Sequence, residues 1–417
     1  MNFIGVNSRE EIEKLQEKGL RRIIDHVYNN NISYRKKFDQ VNIKPSDIKN
    51  LKDIEKLPFT TKEDLRNNYP LGMSCVPKEK IMRIHMSSGT TGSPVLQLYT
   101  RADIGQWSDI MARCLHVAGV RENDIIQITP SFGLFNGGFG FHYGAEKIGC
   151  MIVPAGPGNT KRQIKFFEDF GTTSLGSVAS YAIRIMEVAE EEGKEFPNLK
   201  RGIFGAETLS DGLRKRIEES LGIESFDIYG MTETGGIGCG IDCNCHNGIH
   251  IWEDHYILEV IDPKTGETLS DGEEGEIVLT SFTREALPVI RFRTGDIASI
   301  IDGKCDCGMP HRRISRIKGR VDDLLIIKGV NVYPSEIEHL LCDMPGIGNN
   351  YQIFVKEENG FHDLMIQVEG NTSAVDIKKR IKENFLFTPE VEVLPIGSLP
   401  RNEGKAIRII KNKEVRK

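Results

Sequence analysis

The stretch that decides the fold class runs from Arg201 to Tyr229. It reads Arg201-Gly202-Ile203-Phe204-Gly205, then a charged helical segment at 210–221, then Ser225-Phe226-Asp227-Ile228-Tyr229. An apolar strand, a glycine-bearing turn, a helix and a second apolar strand form the repeating unit of a parallel α/β sheet. The same order occurs upstream, where Ile125–Ile128 precedes a glycine-rich loop and Met151–Pro154 precedes a polar helix from about Lys161. We therefore expect an α/β protein with a mainly parallel sheet in its N-terminal part.

The segments on either side of this unit have different patterns. Residues 8–40 carry apolar side chains at helical spacing, and Ser8 can cap the helix N-terminus, which predicts one long helix. Between about 255 and 300, strand-like runs alternate with Pro-Lys-Thr-Gly and Asp-Gly-Glu-Glu-Gly turns, which indicates an antiparallel β portion. The predicted strands there are Tyr256–Ile261, Gly275–Thr280 and Asp296–Ile301.

A small α+β unit follows the short charged segment Gly319-Arg320-Val321-Asp322-Asp323. Its length of about 95 residues suffices for a separate domain. We therefore predict a large domain over 1–320 and a small, mobile domain over 321–417. The elements predicted in the small domain are strands at Leu324–Ile327, Ile353–Val355 and Leu364–Val368, and helices at Ser335–Leu341 and 374–385.

The composition excludes several classes of protein. Of 417 residues, 27% are charged and 39% apolar, which is incompatible with wholesale disorder. The net charge of −6 argues against a general nucleic-acid binder, which needs a basic face. No run approaches the ~18 uninterrupted apolar residues of a membrane-spanning helix, and the start does not resemble a secretory signal. We expect a cytoplasmic protein with neither nucleic acid nor membrane as a partner.

The stretch Ser88-Gly89-Thr90-Thr91-Gly92-Ser93 combines four hydroxyl side chains with two glycines. Bare backbone N–H groups and nearby hydroxyls can surround phosphate oxygens, and the strand-like run 81–86 leads directly into this loop. The spacing fits neither the Walker loop nor the dinucleotide fingerprint. A flexible polar surface loop would have the same composition, so the residues alone leave both interpretations open.

Two further motifs carry groups that suit a nucleotide. Thr232 and Glu233 follow the strand that ends at Tyr229; the hydroxyl can donate to a phosphate and the carboxylate can hold Mg²⁺. Asp296 follows Gly295 and could accept both hydroxyls of a ribose. A capped turn and a type I turn, respectively, would account for the same residues. Each motif is weak alone, and their order along the chain carries the argument.

In this order the motifs resemble those of the phenylacetate–coenzyme A ligase family, within the acyl-adenylate-forming superfamily. The likeness covers nearly the whole chain. The further matching segments are Leu57–Leu65, Gly133–Glu146, Gly205–Glu207, His250–His255, Thr283–Pro288, Gly329–Ser335 and Gly404-Lys405.

The resemblance implies the adenylate-forming fold and a two-step reaction. An aromatic or arylacetic acid would be activated by Mg²⁺ and ATP to acyl-AMP, and the acyl group would then pass to the coenzyme A thiol. A carrier-protein thiol is the alternative acceptor. A non-catalytic nucleotide binder is disfavoured because Lys405, Glu233 and Asp296 are all present. The resemblance is also compatible with a homodimer.

The resemblance also implies a role for each matching residue. Lys405 would bridge the substrate carboxylate and the α-phosphate, Thr232 would contact phosphate, and Glu233 would hold Mg²⁺. Asp322 would be the hinge, and Gly329 would line the thiol tunnel. The implied ATP-binding residues are Ser88, Gly89, Thr90, Thr91 and Gly92 at the phosphates, Gly205, Ala206, Glu207, Tyr229 and Gly230 at the adenine, and Asp296 with Arg320 at the ribose. Ser93 stands where relatives usually carry Lys.

Aromatic residues crowd the glycine-rich loop after the strand Ile125–Ile128. Phe132, Phe135, Phe139, Phe141 and Tyr143 could form a flat slot for an aromatic ring, although core packing uses the same residue types. By resemblance, the acyl pocket would contain Phe135, Phe141, His142 and Tyr143.

Five of the nine cysteines lie between Cys239 and Cys307. The Cys-x-Cys-Gly turn at Cys305 and Cys307, together with Cys243 and His250, would give the Cys₃His set of a structural Zn²⁺ site, and some members of the resembled family carry this pattern. Cys245 is the competing ligand, while His246, His255 and His311 are less favoured. Free buried thiols are the alternative interpretation.

Overall fold

The computed structural model describes residues 5–87, 94–207, 209–327, 329–358, 361–401 and 408–411. The predicted phosphate-binding residues Ser88–Gly92, the departure at Ser93 and the predicted catalytic Lys405 lie outside the described residues.

Side-chain caps set the ends of the first two helices. Ser8 Oγ accepts the N–H of Glu11 (3.2 Å) and begins the first helix as predicted. A single helix over 8–40 is wrong, because Asn31 is extended; its side chain accepts from the Tyr34 N–H and donates to two distant carbonyls. The described helices are α1 (Arg9–Asn30), α2 (Ile32–Gln40), α3 (Lys62–Asn67), α4 (Arg101–Val117), α5 (Gly137–Ile148), α6 (Thr160–Phe170), α7 (Ala179–Glu192), α8 (Asp211–Leu221), α9 (Pro334–Asp343) and α10 (Ala374–Phe385).

The strands that the sequence predicts in the large domain are present, but the described structure contains others that were not predicted. Those predicted at 125–128, 201–205 and 256–261 have these bounds, and the other predicted strands differ by a few residues. The strands without a prediction are those at 96–99, 174–177, 236–242, 249–251, 313–314 and 319–320. The strands are β1 (Arg83–Met86), β2 (Leu96–Tyr99), β3 (Ile125–Ile128), β4 (Met151–Val153), β5 (Ser174–Ser177), β6 (Arg201–Gly205), β7 (Glu224–Met231), β8 (Gly236–Asp242), β9 (Ile249–Ile251), β10 (Tyr256–Ile261), β11 (Glu274–Ser281), β12 (Phe292–Ile301), β13 (Arg313–Ile314) and β14 (Gly319–Arg320).

A mixed twelve-stranded sheet organises the large domain. Its order is β4-β3-β5-β6-β7-β8-β9-β13-β12-β11-β10, with β14 paired to β12. The strands from β4 to β7 are parallel, and the pairs from β7 to β10 are antiparallel. The predicted parallel core and antiparallel β portion therefore share one sheet. Ligands of parallel sheets bind beyond the carboxyl ends of the strands, here the ends of β5, β6 and β7.

Residues 137–148 form a helix, whereas the sequence indicated a glycine-rich loop. The glycines allow α5 to approach its neighbours closely: a Cβ at Gly144 would lie 2.7 Å from the Met111 backbone, and one at Gly140 would lie 2.5 Å from Ile237. Glycine disfavours a helix interior, so tertiary packing against α4 and β8 stabilises this helix against its local propensity.

The small domain has its own sheet and core. A hairpin of β15 (Leu325–Ile327) and β16 (Val330–Val332) precedes a sheet of order β19-β18-β17-β20. This core begins at Leu325, and the Arg320 strand pairs with β12 of the large domain. The division after residue 320 stays a prediction. The sheet strands are β17 (Ile347–Glu358), β18 (Phe361–Gly370), β19 (Glu390–Leu394) and β20 (Ile409–Lys411). Among the described helices, none is long and apolar enough to cross a membrane.

The close packing of α5 predicts opposite effects of two glycine-to-alanine substitutions. Gly144→Ala should lower the free energy of unfolding by about 1–3 kcal/mol, because the new methyl group meets the α4 backbone. Gly105→Ala on α4 should raise it by about 0.5–1 kcal/mol, because no atom of the described residues lies within 4 Å of the added group. Chemical denaturation of both variants would measure the difference; destabilisation by both would contradict this account of the helix pair.

Candidate active site

Asp296 is the buried charge at the centre of the site. It lies on β12, is 7% exposed, and accepts hydrogen bonds from Arg320 Nη1 (2.7 Å) and from the Tyr229 hydroxyl (2.8 Å). Burial, the largest influence, raises the pKa of Asp296, whereas Arg320 and the Tyr229 hydroxyl lower it. The ionised carboxylate therefore depends on these two partners. The three side chains come from β7, β12 and β14, so both halves of the sheet contribute to this site.

Thr232 and Glu233 occupy the turn that follows β7, and both are buried. Asn136 Nδ2 donates to Thr232 Oγ1 (3.1 Å), and Gln97 Nε2 donates to the backbone oxygen of Glu233 (3.0 Å). The loop before α5 and strand β2 are thus both hydrogen-bonded to this turn. The first belongs to the predicted acyl-pocket segment, the second follows the predicted phosphate loop, and the turn carries the predicted Mg²⁺ ligand Glu233.

The base of the predicted phosphate loop is closed by a hairpin. Strands β1 and β2 pair antiparallel, and beyond them the Ser87 N–H donates to the Val95 carbonyl (2.9 Å) while the Val95 N–H donates to Ser87 Oγ (3.2 Å). Gln97 on β2 also donates to the backbone of Glu233, so this hairpin is bonded to the turn that follows β7.

Lys62 is a site residue to which the sequence assigned no role. Its Nζ lies 3.3 Å from Glu233 Oε1, and its charge also lowers the pKa of Asp296. It is the first residue of α3, whose N-terminus is capped by Thr61 and Asp64 in a capping box. The sequence offers one signal for Lys62, its position in the matching segment Leu57–Leu65. Its contact with Glu233 is not visible in the sequence, because the two residues are far apart in the chain.

The predicted adenine residues lie at the ends of neighbouring strands. Gly205 on β6 pairs with Ile228 on β7, beside Tyr229. Ala206 has a φ of +66°, a strained conformation for a residue with a Cβ, of the kind concentrated at functional sites. The Glu207 carboxylate accepts from the N–H (2.8 Å) and hydroxyl (2.9 Å) of Ser180, which fixes the start of α7. At Gly230, on β7, a Cβ would lie 2.6 Å from a backbone oxygen, so that position admits no side chain. That the residues of this group frame an adenine stays a prediction.

The structure divides the predicted acyl-pocket residues into two groups. Phe141 is fully buried, and a Cβ at Gly176 of β5 would lie 3.0 Å from its ring, whereas Phe135 is 41% exposed. His142 and Tyr143 are half-buried and adjoin an aromatic cluster. Its members are His85, Phe132 and Phe139, over which the Arg83 guanidinium lies 4.6 Å from the Phe139 ring centre. Which of these residues contacts an acyl group stays a prediction.

The predicted hinge is connected to the buried carboxylate. Arg320, which binds Asp296, also donates from Nε to Asp322 Oδ1 (3.1 Å), and Asp322 itself is exposed. Gly329 has a φ of +85°, with no described atom within 4 Å of an added Cβ. The hinge and tunnel roles of Asp322 and Gly329 stay predictions.

The side chains of Cys243, His250, Cys305 and Cys307 form a compact cluster. Their ligand atoms all lie within 4.8 Å of one another, with Cys243 Sγ and Cys305 Sγ 3.7 Å apart and Cys307 Sγ 3.3 Å from His250 Nε2. Sulfurs at about 2.3 Å from a tetrahedral zinc ion lie about 3.8 Å from each other. The spacing therefore suits one ion. Cys245 Sγ lies 3.9 Å from Asn244 Oδ1 and is not among the clustered ligand atoms.

The tautomer and the charge of His250 suit metal binding through Nε2. Its Nδ1 lies 3.0 Å from the carbonyl oxygen of His311 and must carry the proton, because a carbonyl can only accept. Burial lowers the pKa of His250 to about 4, so the ring is neutral at pH 7. A second hydrogen bond that fixes the tautomer is typical of metal-binding histidines. The donor set fits a structural zinc ion.

The contact between Lys62 and Glu233 should contribute to the free energy of unfolding. Lys62→Met should lower the free energy of unfolding by about 1 kcal/mol, because a buried carboxylate loses its cation although the lysine itself is partly exposed. Lys165→Met, which removes an exposed lysine 2.9 Å from the exposed Asp169, is the control and should change it by less than about 0.5 kcal/mol. Equal changes in the two variants, measured by thermal or urea unfolding, would show that Glu233 does not depend on Lys62.

Comparison with known proteins gives matches over nearly the whole chain. The family model described as AMP-binding enzyme matches residues 13–282, and AMP-binding enzyme C-terminal domain matches 329–413. The phenylacetate-coenzyme A ligase of Escherichia coli is 39% identical, covering 96% of this chain and 95% of its own. The phenylacetate-coenzyme A ligase of Aromatoleum evansii is 42% identical, covering 88% of this chain and 83% of its own.

Two solved structures of one relative superpose on this chain to different extents. 2-Hydroxyisobutyryl-CoA ligase, 28% identical, gives a TM-score of 0.92 in its postadenylation state, covering 98% of this chain and 91% of its own. The same relative in its thioesterification state gives 0.72, with 97% and 91% covered. The described chain therefore has the adenylate-forming enzyme fold, in a domain arrangement closer to the postadenylation structure. The family models and the identity over nearly full length lead to one conclusion: the chain belongs to the phenylacetate–coenzyme A ligase family of AMP-binding enzymes.

Proposed function

We propose that the chain is an AMP-forming ligase that joins phenylacetate, or a closely related arylacetic acid, to the thiol of coenzyme A. The names of the relatives that match nearly their full length support this substrate pair. The single observation that carries the proposal is the buried Asp296, held between Tyr229 and Arg320 close to the turn with Glu233. This arrangement suits a ribose diol next to a Mg²⁺-bound triphosphate.

In the first step a carboxylate oxygen of the acid attacks the α-phosphorus of ATP. The bond from this phosphorus to the bridging oxygen breaks, and pyrophosphate leaves with the electron pair, which gives acyl-AMP. Because two anions must meet, the site has to neutralise charge and fix an in-line geometry. Glu233 would hold the Mg²⁺ that accompanies the triphosphate, and Mg²⁺ supplies positive charge at the phosphates. Lys405 would bridge the carboxylate and the α-phosphate, and Lys62 adds a cation near Glu233.

In the second step the coenzyme A sulfur attacks the acyl carbon, and the thiol proton is released to solvent. The bond between the acyl carbon and the phosphate oxygen breaks, and AMP leaves with the electron pair and with this oxygen, which came from the acid. No bond to phosphorus forms or breaks in this step, so Lys405 would not be needed to bring two anions together. Rotation of the small domain about Asp322 would withdraw Lys405 and bring Gly329 to the thiol tunnel, since a short charged hinge can absorb a large backbone change.

A panel assay tests the function and the acceptor together. The protein is incubated with Mg²⁺, ATP and each of several aryl acids, with coenzyme A or a purified carrier protein, and pyrophosphate, AMP and thioester are measured. We expect phenylacetate-dependent pyrophosphate release and phenylacetyl-CoA. Acylation of the carrier protein alone would replace the proposed acceptor, and no acid-dependent pyrophosphate release would refute the proposal.

The proposed role of Lys405 predicts a selective defect. Lys405→Ala should lower phenylacetate-dependent exchange of pyrophosphate into ATP by at least about 100-fold, because a charge that stabilises the transition state is lost. Thioester formation from supplied phenylacetyl-AMP should stay within about twofold. Lys379→Ala, an exposed lysine on α10, is the matched control and should leave both rates unchanged. Equal losses in the two half-reactions would contradict the assignment.

We also propose that Cys243, His250, Cys305 and Cys307 bind one structural zinc ion. Four protein ligands leave no open position for a reacting group, so the ion would stabilise the fold rather than take part in the reaction. It would tie the ends of β8 and β9 to the loop between β12 and β13.

Zinc content and thermal stability test this site. Purified protein should contain about one zinc per chain, and Cys305→Ser should lose the metal together with several degrees of melting temperature, since a ligand of a closed site is removed. Cys150→Ser, which changes a buried free cysteine outside the cluster, should keep its zinc. A metal-free preparation with an unchanged melting temperature would exclude a structural ion.

A further inference from the structure

A contact between the two domains lies outside the site described above. Glu187 of α7, in the large domain, accepts a hydrogen bond at Oε1 from Asn350 Nδ2 (2.8 Å), and its Oε2 lies 3.4 Å from Arg401 Nε. Asn350 belongs to β17, and Arg401 follows β19, so both partners are in the small domain. The Glu187 side chain is only 14% exposed. One carboxylate of the large domain therefore binds two side chains of the small domain.

Arg401 is held rigidly within its own domain. Its Nη1 and Nη2 donate to the two carboxylate oxygens of Glu369 (2.9 and 2.8 Å), and Nη1 also donates to the Leu399 carbonyl (3.0 Å). A bidentate pair of this kind fixes the plane of the guanidinium group. Its remaining Nε therefore meets Glu187 only in a narrow range of domain orientations.

Arg401 stands four residues before Lys405, the predicted catalytic lysine. On the far side of that segment, the Arg408 carbonyl accepts from the Ile353 N–H (2.7 Å), and the Arg408 guanidinium lies 4.2 Å from the Tyr351 ring centre. Arg401 and Arg408, the described residues on either side of Lys405, are thus both bonded within the small domain.

We propose that Glu187 is a positioning residue for the first half-reaction. By binding Arg401 and Asn350 it holds the small domain in the orientation in which Lys405 reaches the carboxylate and the α-phosphate. The inference rests on the proposed function. An error of about 1 Å in the placement of a reacting group can lower the rate about 100-fold. A contact made by Arg401, four residues before Lys405, can therefore affect the rate of the first half-reaction.

The contact can open without leaving a charge unpaired. Arg184 Nη1 lies 3.2 Å from Glu187 Oε2 on the same helix, and Arg401 keeps Glu369 in its own domain. A buried ion pair is costly to break when one partner remains alone, and both partners here retain a second one. Glu187 therefore favours the first orientation and still permits rotation. The described domain arrangement superposes better on the relative's postadenylation structure than on its thioesterification structure.

Glu187→Gln tests the inference through the two half-reactions of the full-length protein. The amide nitrogen would oppose Arg401 Nε, so the kcat of phenylacetate-dependent pyrophosphate exchange should fall about tenfold. The KM values for ATP and phenylacetate should change less than about twofold, and thioester formation from supplied phenylacetyl-AMP should be unchanged. Glu191→Gln is the matched control, because that exposed carboxylate lies on the same helix, 3.9 Å from Arg184.

A swap of donor and acceptor separates positioning from misfolding. Asn350→Asp sets a second carboxylate against Glu187 and should reproduce the selective loss. Glu187→Gln combined with Asn350→Asp restores a donor facing an acceptor, and the exchange rate should return to within about threefold of wild type.

The outcomes distinguish this inference from the proposed function. Equal losses in both half-reactions, no loss in either, or a double variant no better than the single ones would overturn the role of Glu187 while the wild type remains active. A wild type without acid-dependent exchange would overturn the proposed function, and this inference with it.

Discussion

The negative charge of Asp296, buried at the meeting of the two halves of the sheet, is the constraint on which the site depends. Burial opposes ionisation, and the Arg320 guanidinium and Tyr229 hydroxyl restore it. These partners come from β14 and β7, and three strands separate β7 from β12 in the sheet order. The long sheet must therefore curve for the hydrogen bond between Tyr229 and Asp296 to form. The turn with Glu233 directly follows β7, which carries Tyr229.

The same charges connect the proposed nucleotide site to the proposed rotation of the small domain. Arg320 binds both Asp296 and the predicted hinge residue Asp322, and Glu187 binds Arg401 at a second point between the domains. Both contacts are polar, and Arg320 and Glu187 each have another partner when one bond opens. Such an interface can hold one orientation without a large loss on rotation, as a two-step reaction requires.

The sequence predicted what depends on local pattern and on residue type. Strand ends such as Gly205 and Ile261, and the strand leading to Ser87, follow from neighbours in the chain. The grouping of Cys243 and His250 with Cys305 and Cys307 followed from residue type and from the family resemblance. The sequence could not reveal the break at Asn31, which depends on carbonyls of Gly72 and Ser74, nor the helix that α4 packing imposes on the glycines of α5. The contacts of Lys62 and Glu187 join distant segments and became visible only once the chain was folded.

In the proposed reaction the substrate carboxylate captures AMP at the site around Asp296 and Glu233. Phenylacetate labelled with heavy oxygen in its carboxylate tests this directly, because the oxygen that attacks phosphorus remains on AMP when the thiol displaces it. With Mg²⁺, ATP and coenzyme A, mass spectrometry should find one labelled oxygen in AMP and no label in pyrophosphate. Unlabelled AMP, or ADP with labelled phosphate, would contradict the account.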